Sequence, residues 1–338
     1  KKEEEVLKDN YPSLMTTLSF PLEGERLWER KITDDDFLNV RIGSGNCRMM
    51  AQLNYPAEKQ LALKEDVLET EMRSLLKREF TIKDVPIQIS LIDNFVCGVA
   101  GDNEDKICFV RNLILQLSIL HSYDEVKIVF LDSRIHDARL DFVRFLPHTW
   151  DDEREFRFVA NDVSESYKIS EYLKNEIENN SSSNNELHDI LKKRPYYVVI
   201  AMDKKSFDGM EVLKDVLQGD KSIGISIVAT FDDLPKESSL IFSFPEKNES
   251  QVVYIRDIDR EAQKFRLDYF DNSRFDKPLE ALINTKLKNV SSSYSLPKTV
   301  TFLEMFGAGK IEHLNINNFN TEKVVNMSEM FYNLNQVN

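Results

Sequence analysis

The sequence predicts an α/β fold in three layers: a parallel sheet covered by helices on both faces, with a small N-terminal extension. Three observations carry that expectation. Short apolar runs, Val126–Leu131, Tyr196–Ala201 and Ile223–Thr230, read as buried strands separated by helical stretches. Buried strands with intervening helices mean parallel pairing with both faces covered. The stretch Ile107–His121 is an apolar helix through Phe109, Leu113, Leu117 and Leu120. Residues 96–111 then place Gly98 and Gly101 between an apolar strand and that helix, where a phosphate-binding loop sits.

The elements follow in chain order. Residues 1–10 are charged and read as the end of a solvated helix. Residues 11–45 form a block with Trp28 and three glycines, in which Leu38, Val40 and Ile42 alternate as a strand ending at Gly43. Residues 58–79 have helical apolar spacing through Leu61, Leu68, Met72, Leu75 and Leu76. Pro86–Leu91 alternates as a half-buried strand, and Phe95–Val99 is a short buried one. The run Glu171–Glu178 leads into Asn179–Asn185, a polar loop expected to be mobile. Met210–Leu217 reads as a helix, Ile241–Phe244 and Gln251–Ile255 as shorter strands, and Pro278–Leu287 as helical. Ser291, Ser292, Ser293 and Ser295 mark a linker. The expected division is an extension at 1–84, an α/β domain at 85–290, and a linker and tail at 291–338.

Bulk properties narrow the function. With 338 residues, 41% of them hydrophobic, the chain buries a sizeable core. A formal net charge of −14 argues against broad binding to nucleic acid or to an anionic membrane, since both need a basic surface. No apolar run is long enough to span a bilayer, and the start has no signal-peptide pattern, so a soluble piece is expected. The chain begins at Lys1 and not at methionine, which points to a fragment of a longer protein. Cys47, Cys97 and Cys108 lack Cys-x-x-Cys spacing, so neither a disulfide framework nor a zinc site is expected. His121, His136, His148, His188 and His313 lack ligand spacing and read as core or surface histidines, with no metal.

The chemistry of a phosphate loop is missing. A loop of the G-x-x-x-x-G-K-[ST] type needs glycine for close backbone approach, lysine for the β- and γ-phosphates and a hydroxyl for Mg²⁺. Here Gly98 and Gly101 keep the turn, but Asp102, Asn103, Glu104 and Asp105 follow, and the three carboxylates among them would repel a triphosphate. Lys106 lies just beyond the usual lysine position and has two readings, a phosphate contact or none. Asp132, at a strand's carboxyl end, sits where open α/β sheets bind ligands, or else pairs with Arg134 or caps a turn. Asp203 either touches Mg²⁺ or caps the turn after its strand. Trp28 is either an interface anchor or packs its block onto the sheet.

Several segments together resemble one family. Leu27-Trp28-Glu29-Arg30, Asp36-Phe37-Leu38, Arg41-Ile42-Gly43, Leu120-His121-Ser122 and Phe145-Leu146-Pro147-His148-Thr149-Trp150 occur in order, followed by Pro297–Gly307 and Ile311–Ile316. The ordered series over residues 11–316 resembles the type VII secretion ATPases, the EssC/YukB and EccC proteins. The resemblance implies a P-loop NTPase-like (FtsK/RecA-like) fold and a position between a membrane-spanning region and tandem FtsK/SpoIIIE motor domains. Within it, Tyr197–Asp203 resembles a Walker B strand with Lys204 at the position of the water-orienting glutamate. Ile223–Thr230 resembles the strand ending in a polar sensor, with Phe231, Asp232 and Asp233 in the sensor's place.

The resemblance therefore implies a non-catalytic, regulatory or assembly domain of a membrane-anchored motor that exports small WXG-type proteins. It needs no cofactor and no metal. Its partners would be the adjacent motor domains and other secretion components at the cytoplasmic face of the membrane. The alternative is an unconventional NTPase that takes ATP and Mg²⁺ through Lys106, Asp132 and Asp203. A third reading comes from residues 314–338, which resemble a single BspA-type leucine-rich repeat of bacterial surface proteins. One repeat cannot bury its own face.

Overall fold

The computed structural model describes residues 2–49, 71, 80–132, 138–180, 195–246, 249–257, 259–269 and 275–287. All but Lys286 and Leu287 of these belong to one unit, Lys1–Thr285. Strands β1 (Asn39–Arg48), β2 (Thr81–Ser90), β3 (Val96–Gly101), β4 (Val126–Leu131), β5 (Val159–Ala160), β6 (Tyr196–Ala201), β7 (Ile225–Ala229), β8 (Leu240–Glu246), β9 (Glu249–Tyr254) and β10 (Gln263–Arg266) build one sheet. The helices are α1 (Lys2–Asn10), α2 (Leu14–Thr17), α3 (Phe20–Glu23), α4 (Asn103–Leu120), α5 (Val163–Asn180), α6 (Lys204–Asp208), α7 (Val212–Gln218) and α8 (Asp276–Asn284). Turns of 3₁₀ helix cover Ala138–Phe145 and Pro147–Thr149.

The strand order β2-β1-β10-β9-β8-β3-β7-β6-β4-β5 divides the sheet into two halves. From β8 to β5 every pairing is parallel. Numbered among themselves, the long parallel strands run 5-1-4-3-2, the order of a P-loop ATPase sheet, with β3 in the place of the phosphate-loop strand. From β8 to β2 every pairing is antiparallel. The expected parallel sheet flanked by helices is present, and an antiparallel wing extends it. The antiparallel wing is not visible as apolar runs because its strands have an exposed side, as in the mixed burial of β9 and β10.

The parallel strands β4, β6 and β7 bury both faces. Odd-numbered positions of β6 (Tyr197, Val199, Ala201) face Ile169 and Leu173 of α5, Phe207 of α6 and Leu213 of α7. Even positions (Tyr196, Val198, Ile200) join a second cluster with Phe109, Leu113, Leu117 and Leu120 of α4. That alternation is the period-2 signature of a strand between two helical layers. Every residue of α4 from Phe109 to Leu120 is buried, because β1, α2 and the 3₁₀ turn at 138–145 cover the side turned away from the parallel strands.

The strand through Leu38, Val40 and Ile42 does not stop at Gly43; β1 continues to Arg48. Gly43 is a crossing point and not a terminator. A Cβ there would lie 2.2 Å from Arg266 O in β10, so only glycine lets the two backbones meet. Pairing of β1 with β2 shifts register at Arg41/Gly43 and at Gly45/Cys47, which keeps the strand paired past both glycines. Pro86 is tolerated because β2 is the edge strand. The expected helix at 58–79, apart from Glu71, and positions 181–185 of the expected polar loop lie outside the described residues. So do the linker at 291–295, the tail and the motifs at 297–316, together with Arg134, His136, His188 and His313.

Candidate functional site

At the phosphate-loop position, strand and helix are joined by a single residue. β3 ends at Gly101, Asp102 follows, and α4 begins at Asn103. Gly98 does not belong to a turn: it lies inside β3, paired with Ala229 and Ile241. It leaves room for Leu234, whose Cδ1 would be 2.7 Å from an added Cβ. Gly101 pairs with Phe244 of β8 at φ +121°, and a Cβ there would stand 2.2 Å from Phe244 O. The two glycines thus serve strand pairing and close packing, not a loop that wraps an anion. Asp102 occupies the N-cap of α4, its carboxylate accepting from Glu104 N at 3.0 Å. The positive end of the helix, where a phosphate would bind, already carries a carboxylate of the chain.

The remaining predicted residues divide by what they touch. Asn103 and Glu104 are exposed on the first turn of α4. Asp105 is buried and accepts from Tyr269 Oη at 2.5 Å, an interaction that, with burial as the larger cause, raises the tyrosine's pKa. Lys106 is also buried, and its Nζ donates to Thr230 O at 3.3 Å and lies 3.8 Å from Asp232 Oδ1. The lysine thus spans from α4 to the carboxyl end of β7, the place expected for the sensor. Asp203 caps α6, its carboxylate accepting from Ser206 N at 2.9 Å, so the capping reading describes its geometry. Lys204 is exposed and donates to Asp233, a hydrogen bond that raises its pKa. Asp132, half-buried just past β4, donates its backbone N–H to Ala160 O at 3.0 Å. Phe231 packs on Phe207, with ring centroids 5.2 Å apart. Tyr269 is not singled out by the sequence, and Thr230 is read there only as the end of the sensor-like strand, not as a partner of Lys106. Thr230 and Tyr269 lie 124 and 164 residues from their partners, and no local pattern signals such pairs.

A second constellation gathers at the other end of α4. Trp28 Nε1 donates to Ser118 O at 3.1 Å, Trp28 N to Ile119 O at 2.8 Å, and Arg30 N to Leu120 O at 2.9 Å. The indole edge meets Tyr123 with centroids 5.5 Å apart. Trp28 therefore packs, as one of its two readings had it, but against the end of a helix and not against the sheet. The Arg30 guanidinium is buried, donating to Asn39 O and to Asn10 O and pairing with Asp36, while burial lowers its pKa. His121 Nε2 accepts from Leu38 N at 3.1 Å, and His148 Nε2 donates to His121 O at 2.9 Å. Burial holds both imidazoles neutral, with pKa values pushed down to about 3.

Among the described residues no cluster of His, Cys, Asp and Glu could hold a metal, and no helix is long and apolar enough to cross a membrane. A shallow open groove of about 680 Å³ lies on the antiparallel wing, lined by Asn46, Lys83, Gln251 and Lys264 among others.

No family model matches the chain. Curated relatives do. The chain is 34% identical over 149 residues to the ESX secretion system protein EccC of Thermomonospora curvata, covering 44% of this chain and 11% of that one. It is 23% identical over 334 residues to EccC of Geobacillus thermodenitrificans and 22% identical over 325 residues to YukB of Bacillus subtilis, covering 93% of this chain and 21% of each relative. The chain is homologous to the type VII secretion ATPases. It spans about a fifth of the length of the two relatives that match it throughout. A solved structure of EssC (ATPases 2 and 3) from Geobacillus thermodenitrificans is similar with a TM-score of 0.41 and 12% identity, covering 76% of this chain and 51% of that one.

Proposed function

We propose that this chain is a non-hydrolysing, ATPase-like domain with an assembly or regulatory role in a type VII secretion protein. The observation that carries this reading is the β3–α4 junction. An ATPase of this fold wraps the phosphates with a loop of backbone N–H groups between strand and helix. Here one residue separates the two elements, and that residue's own carboxylate caps the helix. The water-orienting position holds Lys204, which pairs with Asp233. The sensor position is reached by Lys106. Homology to EccC and YukB supplies the secretion context. On this reading the partners are motor domains and other secretion components near the cytoplasmic face of the membrane, and the cargo of the whole protein is small WXG-type proteins.

Calorimetric titration of the chain with Mg·ATP tests the proposal. The expected result is no binding in the micromolar range. Micromolar binding that disappears in Lys106→Ala would overturn it and favour the unconventional NTPase.

A further inference from the structure

The two ends of α4 are held by different parts of the chain, and the helix joins them as a rod. Its last carbonyls would lack intrahelical partners, yet those of Ser118, Ile119 and Leu120 are taken by Trp28 and Arg30. The segment that supplies these donors is strained. Trp28 and Leu38 both hold left-handed backbone, at φ 57° and 56°, a region unfavourable for bulky residues. Each is fixed there by a hydrogen bond onto the end of α4, Trp28 N to Ile119 O and Leu38 N to His121 Nε2. Strained backbone persists where its surroundings over-determine it, and here the surroundings are the helix end.

The middle of α4 is tied to the same N-terminal block. Gln116 accepts from Arg41 N and donates to Arg41 O, at 3.0 and 2.8 Å, so helix and β1 are bonded side by side. Toward β3, β4 and β6, by contrast, α4 presents Phe109, Leu113 and Leu117, an apolar contact without directional bonds. Its first turn carries a polar link to the parallel strands, Lys106 Nζ to Thr230 O at 3.3 Å, near the limit of a hydrogen bond. A slide of the helix by 1–2 Å, on the order seen for packed helices that switch, would break it.

We propose that residues 26–38 are a strained strap coupled through α4 to its far end, so that release of the strap from Ser118, Ile119 and Leu120 lets Lys106 leave Thr230. The closed nucleotide-site position would then report whether the strap is docked. This inference does not depend on the absence of nucleotide binding, since no nucleotide enters it.

Hydrogen exchange read by mass spectrometry on the whole chain tests it, with Trp28→Ala against the unaltered protein. Amides at 117–121 should exchange about 10-fold faster. Those at 103–107 and 229–231 should exchange at least about 3-fold faster, with α5 unchanged. Acceleration confined to 117–121 would show a local cap without transmission and overturn the proposal. So would equal acceleration in α5, which marks general loss of stability. Trp28→Phe keeps a ring against Tyr123 and removes only the indole donor; it should give the same pattern at smaller amplitude if the alanine variant does not fold. Coupling is reciprocal, so Lys106→Met should loosen 117–121 about 3-fold. No change there would also overturn it.

Discussion

Helix α4 ends in two regions built on opposite plans. At its N-terminus a carboxylate caps the helix, the strand before it is locked to β8, and Lys106 reaches Thr230: charged and polar residues close a place that in an ATPase stays open for phosphate. At its C-terminus the closure comes from residues far earlier in the chain and from two fully buried, neutral histidines. One end is closed by the carboxylate of the adjoining residue and by Lys106 and Asp105 bonded to Thr230 and Tyr269. The other has gained a joint between distant segments, and titratable rings hold that joint. The two ends should therefore fail under different stresses.

Acid separates them most. Both histidine rings bind a proton in the unfolded chain near pH 6.5 but resist it in the fold down to about 3. The unfolded state then takes up more protons, and stability falls as pH drops from 6.5 toward 3. Arg30 and Lys127 oppose protonation of His121 and His148 respectively. Nearby Glu125, whose pKa burial raises, works in the other direction. Between pH 7 and 5 the two rings together should cost about 4 kcal/mol. Urea unfolding at the two pH values measures this, and His148→Gln should remove about half of the difference. Equal urea midpoints at pH 7 and 5 would show that the C-terminal joint does not depend on neutral imidazole.

A single methyl group tests the other end. Gly101→Ala places a Cβ at 2.2 Å from Phe244 O in backbone of φ +121°, so pairing of β3 with β8 must give way. A loss of about 3 kcal/mol is expected. Gly98→Ala meets side chains and no backbone, Leu234 Cδ1 at 2.7 Å and Ile241 Cγ1 at 3.3 Å, and should cost about 1 kcal/mol. Thermal unfolding of both variants checks the order. If Gly101→Ala were the milder change, Gly101 would be serving an adaptable loop and not a locked strand.

The contrast also sets what was legible in the sequence. The parallel strands were, because Val126–Leu131 and Tyr196–Ala201 are buried on both faces and so write continuous apolar runs. The antiparallel wing was only partly so: Gln263–Arg266 alternates over four residues with one buried side chain, too short a pattern to stand out. At the site, the departure from a phosphate-loop pattern was visible as Asp102–Asp105. The geometry that replaces them was not, since Lys106 with Thr230 and Asp105 with Tyr269 pair across most of the fold. Likewise His121 and His148 carried no sign in the sequence of sharing one buried joint with Leu38 and Trp28.

The smallest expected effect is the sharpest comparison with a working motor. Lys204→Glu restores a carboxylate at the position where the resemblance puts the water-orienting glutamate. Lys204 is exposed and its pairing with Asp233 is a surface interaction, so the melting temperature should not move measurably. No ATP hydrolysis should appear either. A glutamate can only orient water onto a γ-phosphate that is already held, and the direct passage from Gly101 through Asp102 into α4 leaves no loop to hold one. Phosphate release above the protein-free background in this variant would mean that the N-terminal end of α4 opens in solution. The two ends of the helix would then differ in dynamics and not in plan.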